Sequence, residues 1–259
     1  MSRIDIYLFS NGFAKSRESA RKSIEAGLVY VDGKQVTKPS EKIDETVDHD
    51  IEYKNSIPYV GRGGLKLEAA IDAFDIDPAN KVCIDIGAST GGFTDCLLQR
   101  CACKVYAVDS GRDQLVKELK EDSRVVSLEG VNARYLDSKL IPEQADLVVM
   151  DVSFISQTLI FPSISNLLKD NGIAITLIKP QFECGREAIG KGGIVKKPEQ
   201  RISAVRRVAY AAESCGLHLI DLINSPILGG DGNAEFLGLF STAHSVEIEP
   251  IISKVNYNC

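Results

Sequence analysis

Apolar and polar positions in the first forty residues predict two short helices and a hairpin. In R-I-D-I-Y-L-F-S-N-G a short apolar run is stopped by Asn11-Gly12. Ser16 is placed to cap a second helix, R-E-S-A-R-K-S-I-E-A-G. Glu18 suits the positive end of its dipole, and Gly27 suits the position just past its end. Ala20, Ile24 and Ala26 are expected to face inward, with Arg17, Arg21 and Lys22 near one exposed flank. L-V-Y-V-D-G-K-Q-V follows, and Asp32-Gly33 between two β-prone runs signals a two-residue hairpin. So small a head needs a neighbour for stability.

Beyond an acidic stretch the period changes. Gly63-Gly64 lead into a helix whose Leu65, Ala69 and Ala73 recur at helical spacing. Strands and helices then alternate through V-C-I-D-I-G, K-V-Y-A-V-D, R-V-V-S-L-E-G, D-L-V-V-M-D and I-A-I-T-L-I-K-P, the pattern of an open, doubly wound α/β sheet. L-H-L-I-D-L-I-N and A-E-F-L-G-L-F are joined by turn residues without a helix, which predicts an antiparallel pair at one edge. The expected domains are a head over residues 1–60, linker included, and a body over 61–259.

Composition narrows the class. The chain has 259 residues, 44% of them hydrophobic. It contains no apolar run long enough to span a bilayer and no signal peptide. Its cysteines number seven, without a C-x-x-C pair. They read as reduced thiols of a cytoplasmic protein, with no metal site expected. Net charge is −6, yet residues 1–40 hold seven Lys or Arg against four acids, and residues 41–52 hold six acids against one Lys. The head is basic, so nucleic acid remains a candidate partner there. A solvated helix face is the plain alternative.

V-C-I-D-I-G-A-S-T-G-G-F-T-D, opening at Val82, carries the chemistry. Ligands of such sheets sit at the carboxyl ends of the strands. Glycine lets the backbone approach a ligand closely. The phosphate-binding forms G-x-x-x-x-G-K-[ST] and G-x-G-x-x-G are both absent. An acid, Asp85, precedes the glycines; it repels phosphate and suits a cationic ligand such as S-adenosylmethionine. Asp109, ending the second strand, is placed to hold ribose hydroxyls. Its alternative is a helix cap. These residues predict a Rossmann-like class I methyltransferase sheet, mostly parallel.

Strands four and five bear on the methyl acceptor. D-L-V-V-M-D-V-S-F has no proline pair after Asp151, as an amino-methylating enzyme of bases commonly shows. Cys184 lies too far along to serve as a pyrimidine nucleophile. The fifth strand instead ends at Lys179. A lysine can take the proton of a ribose 2′-hydroxyl when burial and neighbouring cations favour its neutral form. Lys66 would be the second cation, with Asp151 and Glu235 orienting the pair. Singly, Lys66 also reads as a surface helix residue and Glu235 as an edge-strand acid.

Two resemblances sharpen this reading. The head pattern R-x-D-x-x-L, then S-R-x-x-A-x-x-x-I-x-x-G-x-V-x-V-x-G, resembles the RNA-binding domain named after ribosomal protein S four. That implies phosphate contacts from Arg3, Lys15, Arg17, Arg21 and Lys22. G-R-G-G-x-K-L, D-I-G-A-S-T-G-G-F-T-D, D-V-S-F, K-P-Q-F-E and G-N-A-E-F-L resemble the TlyA family, whose body is FtsJ-like. The likeness implies a ribosomal RNA 2′-O-methyltransferase acting on cytidine, with a tetrad of Lys66, Asp151, Lys179 and Glu235. It also implies S-adenosylmethionine held by Asp85, Gly87, Ala88, Ser89, Gly91, Gly92, Phe93, Thr94, Asp109, Asn132 and Asp151. Arg62 joins the RNA contacts. Gly61 departs from the family, which more often has Ser there.

The expected partners are ribosomal RNA or ribosomal subunits, with neither membrane nor DNA, for a protein expected to be a monomer. The target nucleotide would be drawn out of its stack. G-R-E-A-I-G-K-G-G-I-V-K-K, opening at Gly185, is either a lid over RNA or a solvated connection. Rival readings are a haemolysin, for which no membrane-entering segment is seen, a non-catalytic RNA-binding factor, and a base methyltransferase. No extra arm flanks the two domains, which favours a narrow substrate range.

Overall fold

The computed structural model describes residues 1–14, 16–25, 27–53, 58–190, 192–229 and 232–258. Lys15 and Ala26 therefore lie outside the described residues. The chain divides into two compact units, Met1–Pro58 and Tyr59–Cys259. The division precedes Tyr59 because this residue packs with the larger unit. Its hydroxyl donates to Glu68 Oε1 at 2.8 Å, and it is buried.

In the smaller unit, helices Ile4–Ser10 and Arg17–Glu25 precede a hairpin of Val29–Val31 and Lys34–Gln35. Ser16 Oγ accepts from the Ser19 N–H at 3.0 Å, the expected cap. Asp32 and Gly33 have φ of 52° and 74°, the two left-handed residues that a tight hairpin of this hand requires. The strand Ile51–Tyr53 pairs with the other side of Val29–Val31. Ile4, Leu8, Ala20, Ile24, Val29 and Ile43 form its core.

The larger unit is a seven-stranded sheet. Its strands are β1 (Val82–Ile86), β2 (Lys104–Asp109), β3 (Val125–Glu129), β4 (Ala145–Met150), β5 (Leu168–Ile178), β6 (His218–Asn224) and β7 (Phe236–Ser241). Their spatial order is β6-β7-β5-β4-β1-β2-β3. Pairings from β5 through β3 are all parallel, whereas β7 runs against both β5 and β6. The antiparallel pair thus closes one end of the sheet, with β7 inserted and β6 on the rim. β1 and β4, central and adjacent, are buried along most of their length. The strand order reverses at β1, so the carboxyl ends of β1, β2 and β4 open a crevice there.

The main helices are α1 (Gly63–Ala73), α2 (Gly92–Gln99), α3 (Lys117–Lys120), α4 (Phe161–Leu167), α5 (Pro180–Glu183), α6 (Pro198–Glu213) and α7 (Ile248–Ser253). The buried face of α1 is Lys66, Leu67, Ala70 and Ile71, not the Leu65–Ala69–Ala73 stripe. Both stripes have helical spacing. The larger Leu67 and Ile71 win the interior because they remove more apolar area from water. That choice also turns Lys66 inward.

Candidate active site

The chain leaves β1 through a loop that only particular backbones can make. Gly87 has φ of 86°, and a side chain there would run into the Asp151 carbonyl. Ser89 is also left-handed, with φ of 49°. Its N–H donates to Asp109 Oδ2 at 2.7 Å, and Gly111 N–H donates to Oδ1 at 2.7 Å. Asp109 therefore braces the glycine loop against the end of β2 and caps no helix. Gly91 has φ of 101°, and any side chain would meet Leu119.

Asp85, at the end of β1, is 0% exposed and lies outside the lining of both cavities at these strand ends. Thr94 Oγ1 donates to its Oδ2 at 2.7 Å, while Oδ1 has no hydrogen-bond partner. Burial pushes its pKa up to about 7, against the opposing Thr94 hydrogen bond and with help from the Asp151 charge.

In front of the loop lies a cleft of about 510 Å³, lined among others by Gly87, Ser89, Asp109, Asn132, Asp151 and Phe154. Asn132 is held by its own turn, its Oδ1 accepting from Arg134 N–H at 3.1 Å. A second cavity of about 370 Å³ shares Gly87, Ser89 and Asp151 with the first. Ala88, Gly92 and Phe93 line it, as do Arg62, Lys66, Lys179 and Glu235.

Four charged side chains meet in that second cavity as two pairs. Lys66 Nζ donates to Glu235 Oε2 at 2.5 Å. Lys179 Nζ stands 2.6 Å from Asp151 Oδ1 and donates to Ser153 Oγ at 2.8 Å. All four are at least three-quarters buried. Low local polarity makes such pairs consequential, because losing one partner strands the other charge. A lysine held by a carboxylate and a hydroxyl is also placed to exchange protons with a third group entering the cavity.

Sequence reasoning missed three neighbours. Ser153 receives the Lys179 hydrogen bond. Phe154 is 92% exposed, left-handed at φ 64°, and set against the Phe182 ring at 5.3 Å between centroids. Asn233, buried, accepts from Val195 N–H at 2.9 Å and donates to Gly193 O at 3.0 Å. It thus ties the glycine-rich connection down two residues before Glu235. The motif D-V-S-F held a signal for the first two, and G-N-A-E-F-L for the third.

The basic residues of the smaller unit lie on its surface. Arg3 donates to both oxygens of the fully buried Asp5, at 2.9 and 3.0 Å, and Arg17 joins at 3.4 Å. Those arginines hold the Asp5 pKa below the usual carboxylate range. Arg21 and Lys22 pair with Glu25 and Glu18 one turn away. Among the described residues no group of His, Cys, Asp or Glu could hold a metal ion, and no helix is long and apolar enough to cross a membrane.

Comparison with known proteins agrees with this architecture. Residues 59–241 match the FtsJ-like methyltransferase model, and residues 2–48 match the S4 domain. Hemolysin A of Brachyspira hyodysenteriae is 44% identical over 92% of this chain and 99% of its own. The 16S/23S rRNA (cytidine-2′-O)-methyltransferase TlyA of Mycobacterium tuberculosis is 40% identical over 91% of this chain and 88% of its own. A solved structure of a Streptococcus thermophilus protein carrying the hemolysin name superposes with a TM-score of 0.74. It is 39% identical, covering 97% of this chain and 94% of that one. With an S4 domain ahead of it in sequence and a crevice at the β1 switch point, this chain belongs to the FtsJ-like methyltransferases.

Proposed function

We propose that the protein transfers a methyl group from S-adenosylmethionine to a ribose 2′-hydroxyl of ribosomal RNA, with cytidine the target nucleoside. The observation that carries this reading is one cavity where Lys66–Glu235 and Lys179–Asp151 face each other beside the strand-end cleft. The proline pair or strand-end cysteine that base-methylating enzymes commonly use is absent from the ends of β4 and β5, which read D-V-S-F and K-P-Q-F-E. The TlyA relative, at 40% identity over most of both chains, is named for the ribose reaction on cytidine.

The cleft suits S-adenosylmethionine by its donor set. Gly87, where a side chain would strike the Asp151 carbonyl, forms part of the cleft wall, and the carboxylates of Asp109 and Asp151 line it. Each Asp109 oxygen keeps a lone pair beyond its backbone bond, enough to accept from ribose hydroxyls. Asn132 and the edge of Phe154 would border the rest. When bound, S-adenosylmethionine supplies an electrophilic methyl group on a cationic sulfur.

The chain's own residues do the remainder. Lys179, having given up its proton, accepts that of the 2′-hydroxyl; Asp151 and Ser153 fix its direction. Lys66, held by Glu235, keeps a positive charge across the cavity, where negative charge develops on the attacking oxygen. Rate then comes from alignment and local electrostatics, with no covalent enzyme intermediate. Arg62 and the basic face of the S4 domain supply phosphate contacts. Phe154 offers an exposed ring against which an extruded base can stack.

The test incubates the protein with ribosomal RNA and with subunits in methyl-labelled S-adenosylmethionine, then identifies the labelled nucleoside. Label on 2′-O-methylcytidine is expected. Label on a base atom overturns the tetrad assignment.

A further inference from the structure

One buried acid is untouched by this mechanism, although it closes the K-P-Q-F-E motif. Glu183 is 2% exposed and ends α5, four residues beyond Lys179. Its carboxylate accepts from Ser156 Oγ at 2.5 Å and from Gln157 N–H at 2.9 Å. Gln157 in turn donates from Nε2 to Leu177 O at 3.3 Å, two residues before the lysine at the end of β5. The backbone carbonyl of Glu183 accepts from Arg207 of α6 at 2.9 Å. Burial pushes the Glu183 pKa up, while both loop donors pull it down.

The segment gripped in this way is the one that follows β4. Asp151 and Ser153 at its start hold Lys179. Ser153, Phe154 and Ile155 line the 510 Å³ cleft, and Phe154 takes a left-handed backbone that a phenylalanine adopts only under constraint. Ser156 and Gln157 at its end are held by Glu183. Lys179 and Glu183, one helical turn apart, therefore clasp the same loop at both ends. This short loop carries both partners of Lys179, an exposed ring and part of the cleft wall.

We infer that Glu183 is a positioning residue. Through Ser156 and Gln157 it sets the loop that aims Lys179 and shapes the cleft. This rests on the ribose-methylation reading for its activity readout alone. A displacement of about 1 Å in such a loop costs on the order of a hundredfold in rate.

Position and charge make opposite forecasts for Glu183→Gln. The amide that this substitution introduces can accept the Gln157 N–H and donate to the Ser156 hydroxyl, which then turns its proton to Thr158 Oγ1, 2.7 Å away. Glu183→Gln should thus retain activity within a few-fold, while Glu183→Ala loses on the order of tenfold to a hundredfold in kcat. Ser156→Ala, which removes one of the two bonds, should fall between.

The chain contains no tryptophan, so Phe154→Trp gives a single indole, excited selectively over tyrosine, as a probe of the loop. Its anisotropy, and the Kd for S-adenosylmethionine, are read in the Phe154→Trp background with and without each further substitution. Lower anisotropy and several-fold weaker cofactor binding are expected with Glu183→Ala, and recovery with Glu183→Gln. Unchanged anisotropy and kcat in Glu183→Ala would overturn the assignment. So would a Glu183→Gln variant as impaired as Glu183→Ala at normal melting temperature, which would mean that charge matters rather than position. Should Glu183→Ala not fold, a silent Ser156→Ala overturns it equally. Failure of wild-type protein to methylate RNA bears on the function alone, because probe and cofactor binding need no RNA.

Discussion

Lys66 and Glu235 stand 169 positions apart in the chain and 2.5 Å apart in the fold. One comes from the entry helix α1, the other from the residue just before β7. Their side chains are 10% and 3% exposed, so neither is solvated enough to stand alone. Removing one partner should cost about 3–5 kcal/mol, because a buried charge is left uncompensated. Lys66→Met with Glu235→Leu should restore most of that stability without restoring methyl transfer. Denaturant unfolding of the two single variants and the double variant checks this. Additive losses in the double variant would show that the pair is not coupled.

Lys179 separates charge from proton transfer. Lys179→Arg keeps a cation beside Asp151 but cannot give up its proton at ordinary pH. Both Lys179→Arg and Lys179→Ala should lose about a hundredfold to ten-thousandfold in methyl transfer. Cofactor binding should persist in the Arg variant, which keeps a cation for Asp151, and weaken by only a few-fold in the Ala variant, which frees that end of the loop while Lys179 itself lies outside the cleft lining. Single-turnover transfer and calorimetric binding read the two properties apart. An active Arg variant would assign the lysine to electrostatics rather than to proton acceptance.

Asp85 predicts a pH dependence of stability. Its carboxyl, fully buried, has a pKa raised from 3.8 to about 7. The folded state then binds the proton more tightly than the unfolded chain does. Stability from this group is present below about pH 4 and is lost as pH rises towards 7. Asp85→Asn keeps an acceptor for Thr94 and removes the titration. Relative to wild type, that variant should gain stability on moving from pH 5 to pH 8, by up to a few kcal/mol. Melting curves at the two pH values decide it; a constant difference would clear Asp85 of the role.

These residues also mark what the sequence could convey. The glycine loop was readable because Gly87 and Gly91 answer to local backbone needs that any strand-to-helix turn of this kind imposes. Taken singly, Lys66 and Glu235 read equally as surface residues, but the four charged residues of the second cavity were legible as a set, through the motifs that resemble the family. The inward face of α1 was not, since two stripes had equal spacing and only the packing of Leu67 and Ile71 chose between them. Nor was the full burial of Asp85: alternation along β1 does not say which end residues the following loop covers. The insertion of β7 between β5 and β6 pairs segments roughly sixty residues apart, a relationship no local pattern contains.

The S4 domain offers the last prediction, and its geometry ranks the basic residues. Arg3 gives Nε and Nη2 to Asp5 and is 40% exposed; Arg17 is 55% exposed and contributes only Nη2. Both are therefore pre-oriented cations, and ordering them on a phosphate costs little side-chain entropy. Arg21 and Lys22, 59% and 72% exposed, pair with glutamates that are themselves solvated. Such pairs are worth under about 1 kcal/mol and yield readily to a phosphate, though with more entropy lost. Substituting any one with alanine should weaken RNA binding by a similar factor across sequences, and lower the slope of log K against log salt by about one. Arg17→Ala should cost more affinity than Lys22→Ala. Binding to ribosomal RNA fragments over a range of potassium chloride measures both. Four variants with the wild-type slope would make the basic flank a solvated helix face and shift RNA recognition to Arg62 and the methyltransferase unit.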